Sequence, residues 1–185
     1  MKKNLRTIRK GITILISAMM LTSCATGYTS AIVGGEYNIK KDVTEYFVLP
    51  YGSVSIPGEW TKTTYNSNAR QQFFTNKDSV IISIAFGRYN KYEFNRDGKL
   101  KGIDFLNAFY KWEADYFASS GYSSTILETD TEKQYILYHI YRDKTDNYFL
   151  IREMKGNVSN YSIHVAKDWS ESQKTEFLKG LLEQH

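Results

Sequence analysis

Residues 79–88 constrain the fold more than any other stretch. Val80, Ile82, Ile84 and Phe86 alternate with Ser79, Ile81, Ser83 and Ala85, the period of two that sends successive side chains to opposite faces of a strand. Both sets are largely apolar. A strand of that kind needs cover on both faces, so it belongs in the interior of a sheet.

The flanking sequence supplies its neighbours. Residues 45–49 form a short β-prone run closed by Pro50-Tyr51-Gly52, and Val54-Ser55-Ile56 is broken by Pro57-Gly58. Residues 60–65 and 70–75 are extended runs around the turn-forming Asn66-Ser67-Asn68, and Asn76-Lys77-Asp78 turns into residues 79–88. Further on, residues 125–130, 134–142, 148–155 and 158–167 are β-prone and joined by connections short enough for hairpins, an antiparallel meander.

Two helices are expected. Phe105, Ala108, Phe109, Trp112 and Tyr116 recur at spacings of three and four, with Asp104 as a cap and Gly121 at the C-terminal end. Ser170 and Gln173 have the spacing of a capping box, and a helix over residues 171–183 places Phe177, Leu178, Leu181 and Leu182 on one stripe. Strands, helix, strands, helix is an α+β order: an antiparallel β-sheet of about six to seven strands flanked by two main helices.

The N-terminus has a different character. Residues 1–10 carry Lys2, Lys3, Arg6, Arg9 and Lys10 with no acid, and residues 11–21 are mostly apolar but far short of the ~20 residues of a membrane-spanning helix. Leu21, Thr22 and Ser23 then lead into Cys24, the only cysteine. These four residues resemble a bacterial lipobox. The resemblance implies diacylglycerol on the Cys24 sulfur, removal of residues 1–23 as a signal peptide, and a mature chain held on a membrane by lipid. Residues 24–42, small and polar without a sustained period, read as a flexible tether with a reach of roughly 20–25 Å. Residues 43–185 read as a single α+β domain. Ala25 is not the aspartate that resembles an inner-membrane retention signal, so a Gram-negative source would place the chain in the cell envelope on the outer membrane, facing the periplasm.

The leader also carries the basic excess. The chain has 24 basic and 20 acidic residues, and five of the basic ones precede Cys24, which leaves the mature chain at −1. Bulk charge therefore gives no reason to expect nucleic acid as a partner. With Cys24 acylated, no thiol remains for a disulfide, a nucleophile or a metal.

Val54-Ser55-Ile56-Pro57-Gly58-Glu59-Trp60 is similar to the opening motif of the PsbP/Mog1/DcrB-like fold. The aromatic middle helix, the meander and the closing amphipathic helix follow that family's order over about residues 43–185. The resemblance implies an α/β/α sandwich. It also implies a binding or assembly role without catalysis, and it brings no active-site residues to carry over.

The residues themselves offer little chemistry. His139 lies on a strand face with Tyr135, Leu137 and Tyr141, and His164 shares one with Ser162 and Ala166. One strand between theirs puts them ~9–10 Å apart, too far to share a zinc ion at ~2.1 Å, so both read as structural or surface residues. Glu128, Asp130 and Glu132 alternate, which suits a calcium site or a catalytic carboxylate pair, but they fall at a hairpin bend, where a solvated turn accounts for them. No P-loop, serine-hydrolase or dinucleotide-binding string occurs. No enzyme activity, cofactor or metal is expected.

Residues 88–101 stand out. Arg88, Lys91, Arg96, Lys99 and Lys101 face only Glu93 and Asp97, with Tyr89, Tyr92 and Phe94 interleaved. A long irregular connection in a small domain is commonly functional, and exposed aromatics beside cations suit an acidic protein, a glycan or anionic head groups. The competing reading is a loop whose aromatics fold back onto the body. The expected function is that of a non-catalytic envelope lipoprotein binding a partner protein, in an assembly or immunity role. A small-ligand or glycan binder is the alternative, ahead of a hydrolase. The candidate binding loop is Arg88, Tyr89, Lys91, Tyr92, Phe94 and Arg96.

Overall fold

The computed structural model describes residues 31–183. Strand β7 (Ile81–Arg88) runs inside a seven-stranded antiparallel sheet, as its alternation requires, with β6 (Gln71–Thr75) on one side and β11 (Asn157–Val165) on the other. Strand β5 (Thr61–Asn66) forms one edge beyond β6. Past β11 lie β10 (Thr145–Met154), β9 (Tyr135–Arg142) and, at the other edge, β8 (Ser123–Asp130). Strands β8 to β11 form the expected meander, because each connection is a tight turn.

Two helices cover opposite faces, the expected α+β architecture. Helix α1 (Gly102–Ala118) sets Phe105, Leu106 and Phe109 on Ile136, Tyr138, Phe149 and Ile151 of the meander. Helix α2 (Glu171–Gly180) closes the other face with Leu178, over Ile82, Leu150 and Ile163. Its capping box is complete: Ser170 Oγ accepts the Gln173 N–H at 3.3 Å, and Gln173 Oε1 accepts the Ser170 N–H at 2.8 Å. The helix ends at Gly180, before the expected residue 183, yet Leu181 and Leu182 remain buried in the turn that follows.

Helix α1 begins differently from the sequence expectation. Asp104 lies inside its first turn, where it favours the helix dipole without capping, and the N-cap position falls to Lys101 with no side-chain bond. The buried carboxylate of Glu153 does that work from β10. It accepts the Gly102 N–H at 2.7 Å and the Gly156 N–H at 2.6 Å, tying the helix start to a hairpin turn.

The folded domain also starts earlier than residue 43. Strands β1 (Ile32–Gly34) and β2 (Tyr37–Asn38) both pair with β3 (Val43–Leu49), which in turn pairs with β4 (Gly52–Pro57) in a second, four-stranded sheet. Residues 31–42 thus include strand where a tether was expected. The glycines that gave this segment a linker composition serve a close crossing: Gly35, at φ +121°, passes so near Glu45 that a Cβ would sit 2.1 Å from its carbonyl oxygen. Through Tyr46, Val54 and Ile56 the small sheet joins the core on the α2 face. The leader, Cys24 and the lipobox residues lie outside the described residues.

Helix α1 contacts β8, β9 and β10. Over β7 and β11 the same face carries small and polar residues, Ser83, Ala85, Asn160 and Ser162, and this change of character opens the space described next.

Candidate functional site

A cleft of about 360 Å³ lies between the flank of α1 and this polar part of the sheet. Ala85 and Asn160, paired in register on β7 and β11, form its floor, and the small Ala85 side chain leaves room above it. Phe109, Trp112 and Glu113 line one wall, brought onto one stripe by helical spacing. Opposite stands the β5–β6 turn. There Asn66 Oδ1 accepts the N–H groups of Asn68 and Ala69, both at 3.1 Å, and the chain leaves the turn through Arg70 at φ +54°. A non-glycine residue in that region is uncommon and strained, so the turn holds Arg70 at the cleft wall at some cost.

The 88–101 loop closes the end of the cleft, and it is built rather than loose. Asn95 is fully buried at its centre, accepting the Leu100 N–H at 2.9 Å and donating to the carbonyls of Leu100 at 3.0 Å and Tyr89 at 3.3 Å. Tyr89, Tyr92 and Phe94 turn inward, which corrects the expectation of exposed aromatics. Tyr92 meets Phe109 edge-on at 5.0 Å and stacks on Phe94 at 5.7 Å, and Phe94 lies 5.5 Å from Phe105. Burying three rings against an aromatic helix outweighs leaving them in water. Trp112 Nε1 donates to Glu93 Oε1 at 2.7 Å and pins the loop to α1. Of the six candidate loop residues, Lys91, Tyr92 and Arg96 reach the cleft, while Arg88, Tyr89 and Phe94 do not line it.

Charge is distributed unevenly around this space. Arg70, Lys91 and Arg96 converge from two separate elements, and none lies within ion-pair distance of a carboxylate among the described residues. Lys91 crosses directly over Gly87, where a Cβ would sit 2.6 Å from its Nζ. Burial, helped by the nearby Arg70 charge, pushes the Lys91 ammonium down to about 8. Glu113 shows the converse: burial pushes its carboxyl up to about 7, against the opposing hydrogen bond donated by Tyr138. Asn160 is 5% exposed, and its Oδ1 has no hydrogen-bond partner among the described residues.

The histidines do not converge. They stand one strand apart, as expected, and on opposite faces. His139 Nε2 lies 2.6 Å from Asp146 Oδ1, its ring stacked between Tyr141 and Tyr148. His164 Nε2 lies 2.9 Å from Ser83 Oγ and 3.0 Å from Ser162 Oγ, a cluster that single-strand patterns could not reveal because it joins two strands. Burial pushes His164 down to about 4, and Phe73 packs 5.1 Å from its ring. Both serines are at most 1% exposed, so the cluster is closed to a substrate.

Asp130 and Glu132 hold to the turn reading, whereas Glu128 lies inside β8. Glu128 accepts from Tyr135 and from Lys179, and Asp130 Oδ1 accepts the N–H groups of Glu132 and Lys133 at 2.9 and 2.7 Å. Among the described residues no cluster of His, Cys, Asp and Glu has the makings of a metal site. A larger groove of about 660 Å³ runs past Trp60, Trp169 and Phe177. Two of its principal polar groups are already bonded, Trp60 Nε1 to the Pro57 carbonyl and Tyr37 Oη to Asp42, both at 2.8 Å. Of the two spaces, the α1 cleft is the one whose lining includes a buried side-chain atom without a hydrogen-bond partner among the described residues.

No family model matches the chain, and no curated protein matches it. Among solved structures it is similar to the solution structure of the cyanobacterial PsbP protein CyanoP from Synechocystis sp., at a TM-score of 0.46 and 13% identity, over 89% of this chain and 96% of that one. A crystal structure from Bacteroides thetaiotaomicron gives a TM-score of 0.32 at 14% identity over 65% of this chain, which spans 40% of that protein. Neither likeness bears on activity. Among the described residues no helix is long and apolar enough to cross a membrane.

Proposed function

We propose that this chain is a non-catalytic, lipid-anchored envelope protein that binds a small acidic ligand in the cleft beside α1. The observation that supports it most is that Arg70, Lys91 and Arg96 line one open cleft and none of them lies within ion-pair distance of a carboxylate among the described residues. The lining also holds Glu93 and Glu113, but neither is within ion-pair distance of the three cations, which leaves the cationic side with attraction for an anion. At about 360 Å³ the cleft matches the low end of pockets that enclose small molecules, and it is not the broad exposed face of a protein interface. The inward turn of Tyr89, Tyr92 and Phe94 leaves these rings only partly exposed, which favours a small ligand over a partner protein. The cleft lining holds no serine, threonine, cysteine or histidine, which favours binding over hydrolysis.

Two measurements test this reading. Small carboxylates should raise the melting temperature of the detergent-solubilised full chain in a salt-sensitive way, and Arg96→Ala and Arg70→Ala should each remove most of that effect. Identical melts with and without carboxylates would refute it. The anchor is tested by Cys24→Ala, which should abolish lipid labelling and release the protein from membranes. Retention of that variant would mean that residues 1–23 anchor the chain directly.

A further inference from the structure

Building on the reading of the cleft as a ligand site, we infer that its ligand is an amino acid or a similarly small zwitterion, with the carboxylate held by Arg70, Lys91 and Arg96 and the ammonium by Asn160 and Glu113. The cationic side asks for an anion. The other groups ask for the opposite. Asn160 is 5% exposed and lines the cleft, yet its Oδ1 accepts nothing. Native chains rarely leave a buried acceptor unpaired, and a donor brought by a ligand completes it. On the wall, Glu113 Oε2 accepts from Tyr138, and no protein donor is seen on Oε1 among the described residues, which leaves it open to a ligand.

Asn160 and Glu113 together select among small acids. A dicarboxylate would face Glu113 with a second negative charge. A hydroxy acid would satisfy Asn160 but bring no positive charge to Glu113. An ammonium group answers both, and its arrival favours the ionised form of Glu113. Trp112 and Phe109 line the same cleft and give it an apolar stretch for the body of the ligand.

The test compares three probes that differ by one group: L-phenylalanine, 3-phenylpropanoate without the amine, and 2-phenylethylamine without the carboxylate. L-glutamate and glutarate form a second pair. Isothermal titration of the full chain in detergent should find each amino acid bound at least about tenfold more tightly than its deaminated partner, and the amine alone scarcely bound. Asn160→Ala should bring the amino acid down to the affinity of the simple acid and leave the acid unchanged. Glu113→Gln, which keeps the shape and the acceptor for Tyr138, should do the same with the fold intact.

Equal affinity for amino acid and deaminated acid in the wild type would overturn the zwitterion assignment while leaving the acid-binding cleft standing. Loss of both affinities together in Asn160→Ala and Glu113→Gln would also overturn it, since the two residues would then only support the cleft. No binding by any acid would remove the cleft reading itself.

Discussion

Tyr138 donates its hydroxyl to the Glu113 carboxylate, joining the middle of α1 to the floor of the sheet in a largely apolar interface. Burial raises Glu113 from an ordinary 4.5 to about 7 in the folded protein. A carboxyl that holds its proton more tightly when folded contributes stability that is complete below about pH 4.5 and lost as pH rises through about 7. The shift corresponds to about 3 kcal/mol at most. Glu113→Gln should therefore change little near pH 4, and near pH 8 it should be more stable than wild type. Urea denaturation of both proteins at a series of pH values measures the difference.

His164 acts in the opposite sense. Its folded value of about 4 lies below the ordinary 6.5, because burial disfavours the charged ring between Ser83 and Ser162. It contributes stability that is present above about pH 6.5 and lost as pH falls through about 4. Over the interval they share, the two groups offset, so the wild-type profile should be flatter than that of either variant. His164→Gln should remove the acid loss and expose the Glu113 slope alone. A His164→Gln profile parallel to wild type from pH 4 to 7 would show that the ring is not desolvated as described.

The division between what the sequence shows and what it hides follows from distance along the chain. Alternation at residues 79–88 located an interior strand, and three- and four-residue spacing located α1, because both are local patterns that burial enforces. The capping box at Ser170 and Gln173 was legible for the same reason. The start of α1 was not, since its N–H partner, Glu153, is 51 positions away in sequence. Linker composition hid β1 and β2, because glycine serves close backbone crossings as well as flexible tethers. The cleft was half visible. Lys91 and Arg96 stood out as cations in an irregular loop, whereas Arg70, Glu113 and Asn160 join them only through sheet register and helix docking. Glu113 did leave a trace, a lone carboxylate four residues after Phe109 on the buried stripe.

Asp146 accepts from both His139 and Lys174, and the Lys174 ammonium, on a side chain that is 8% exposed, also lies 4.8 Å from the Tyr148 ring. Burial works against ionised Asp146, but the bonds from Lys174 and His139 outweigh it and hold the carboxyl below its usual range. Removing the carboxylate leaves a buried cation unpaired. Asp146→Ala should cost about 1–3 kcal/mol, less than for a fully buried pair because Asp146 itself is 46% exposed. The double variant Asp146→Ala/Lys174→Met should recover most of that loss. A double variant as unstable as the single one would show that the loss comes from the other partner of Asp146, His139, and not from an unpaired Lys174.

Gly35 decides whether residues 31–42 belong to the domain in solution. At φ +121° it occupies backbone space that L side chains rarely adopt, and an added Cβ would meet the Glu45 carbonyl at 2.1 Å, where backbone cannot yield cheaply. Gly35→Ala should therefore displace β1 and β2 from β3. Gly58 is the control: it too has positive φ, at +82°, but nothing lies within 4 Å of its Cβ position. Gly58→Ala should cost about 1 kcal/mol of backbone strain and leave the small sheet paired. Limited proteolysis reads the difference. Wild type and Gly58→Ala should resist cleavage within residues 31–42, and Gly35→Ala should be cut there while β5 to β11 stay protected, since displaced strands lose the ladder bonds that shield them. Rapid cleavage of the wild type in the same segment would return these residues to the role of a tether and move the domain boundary back to β3.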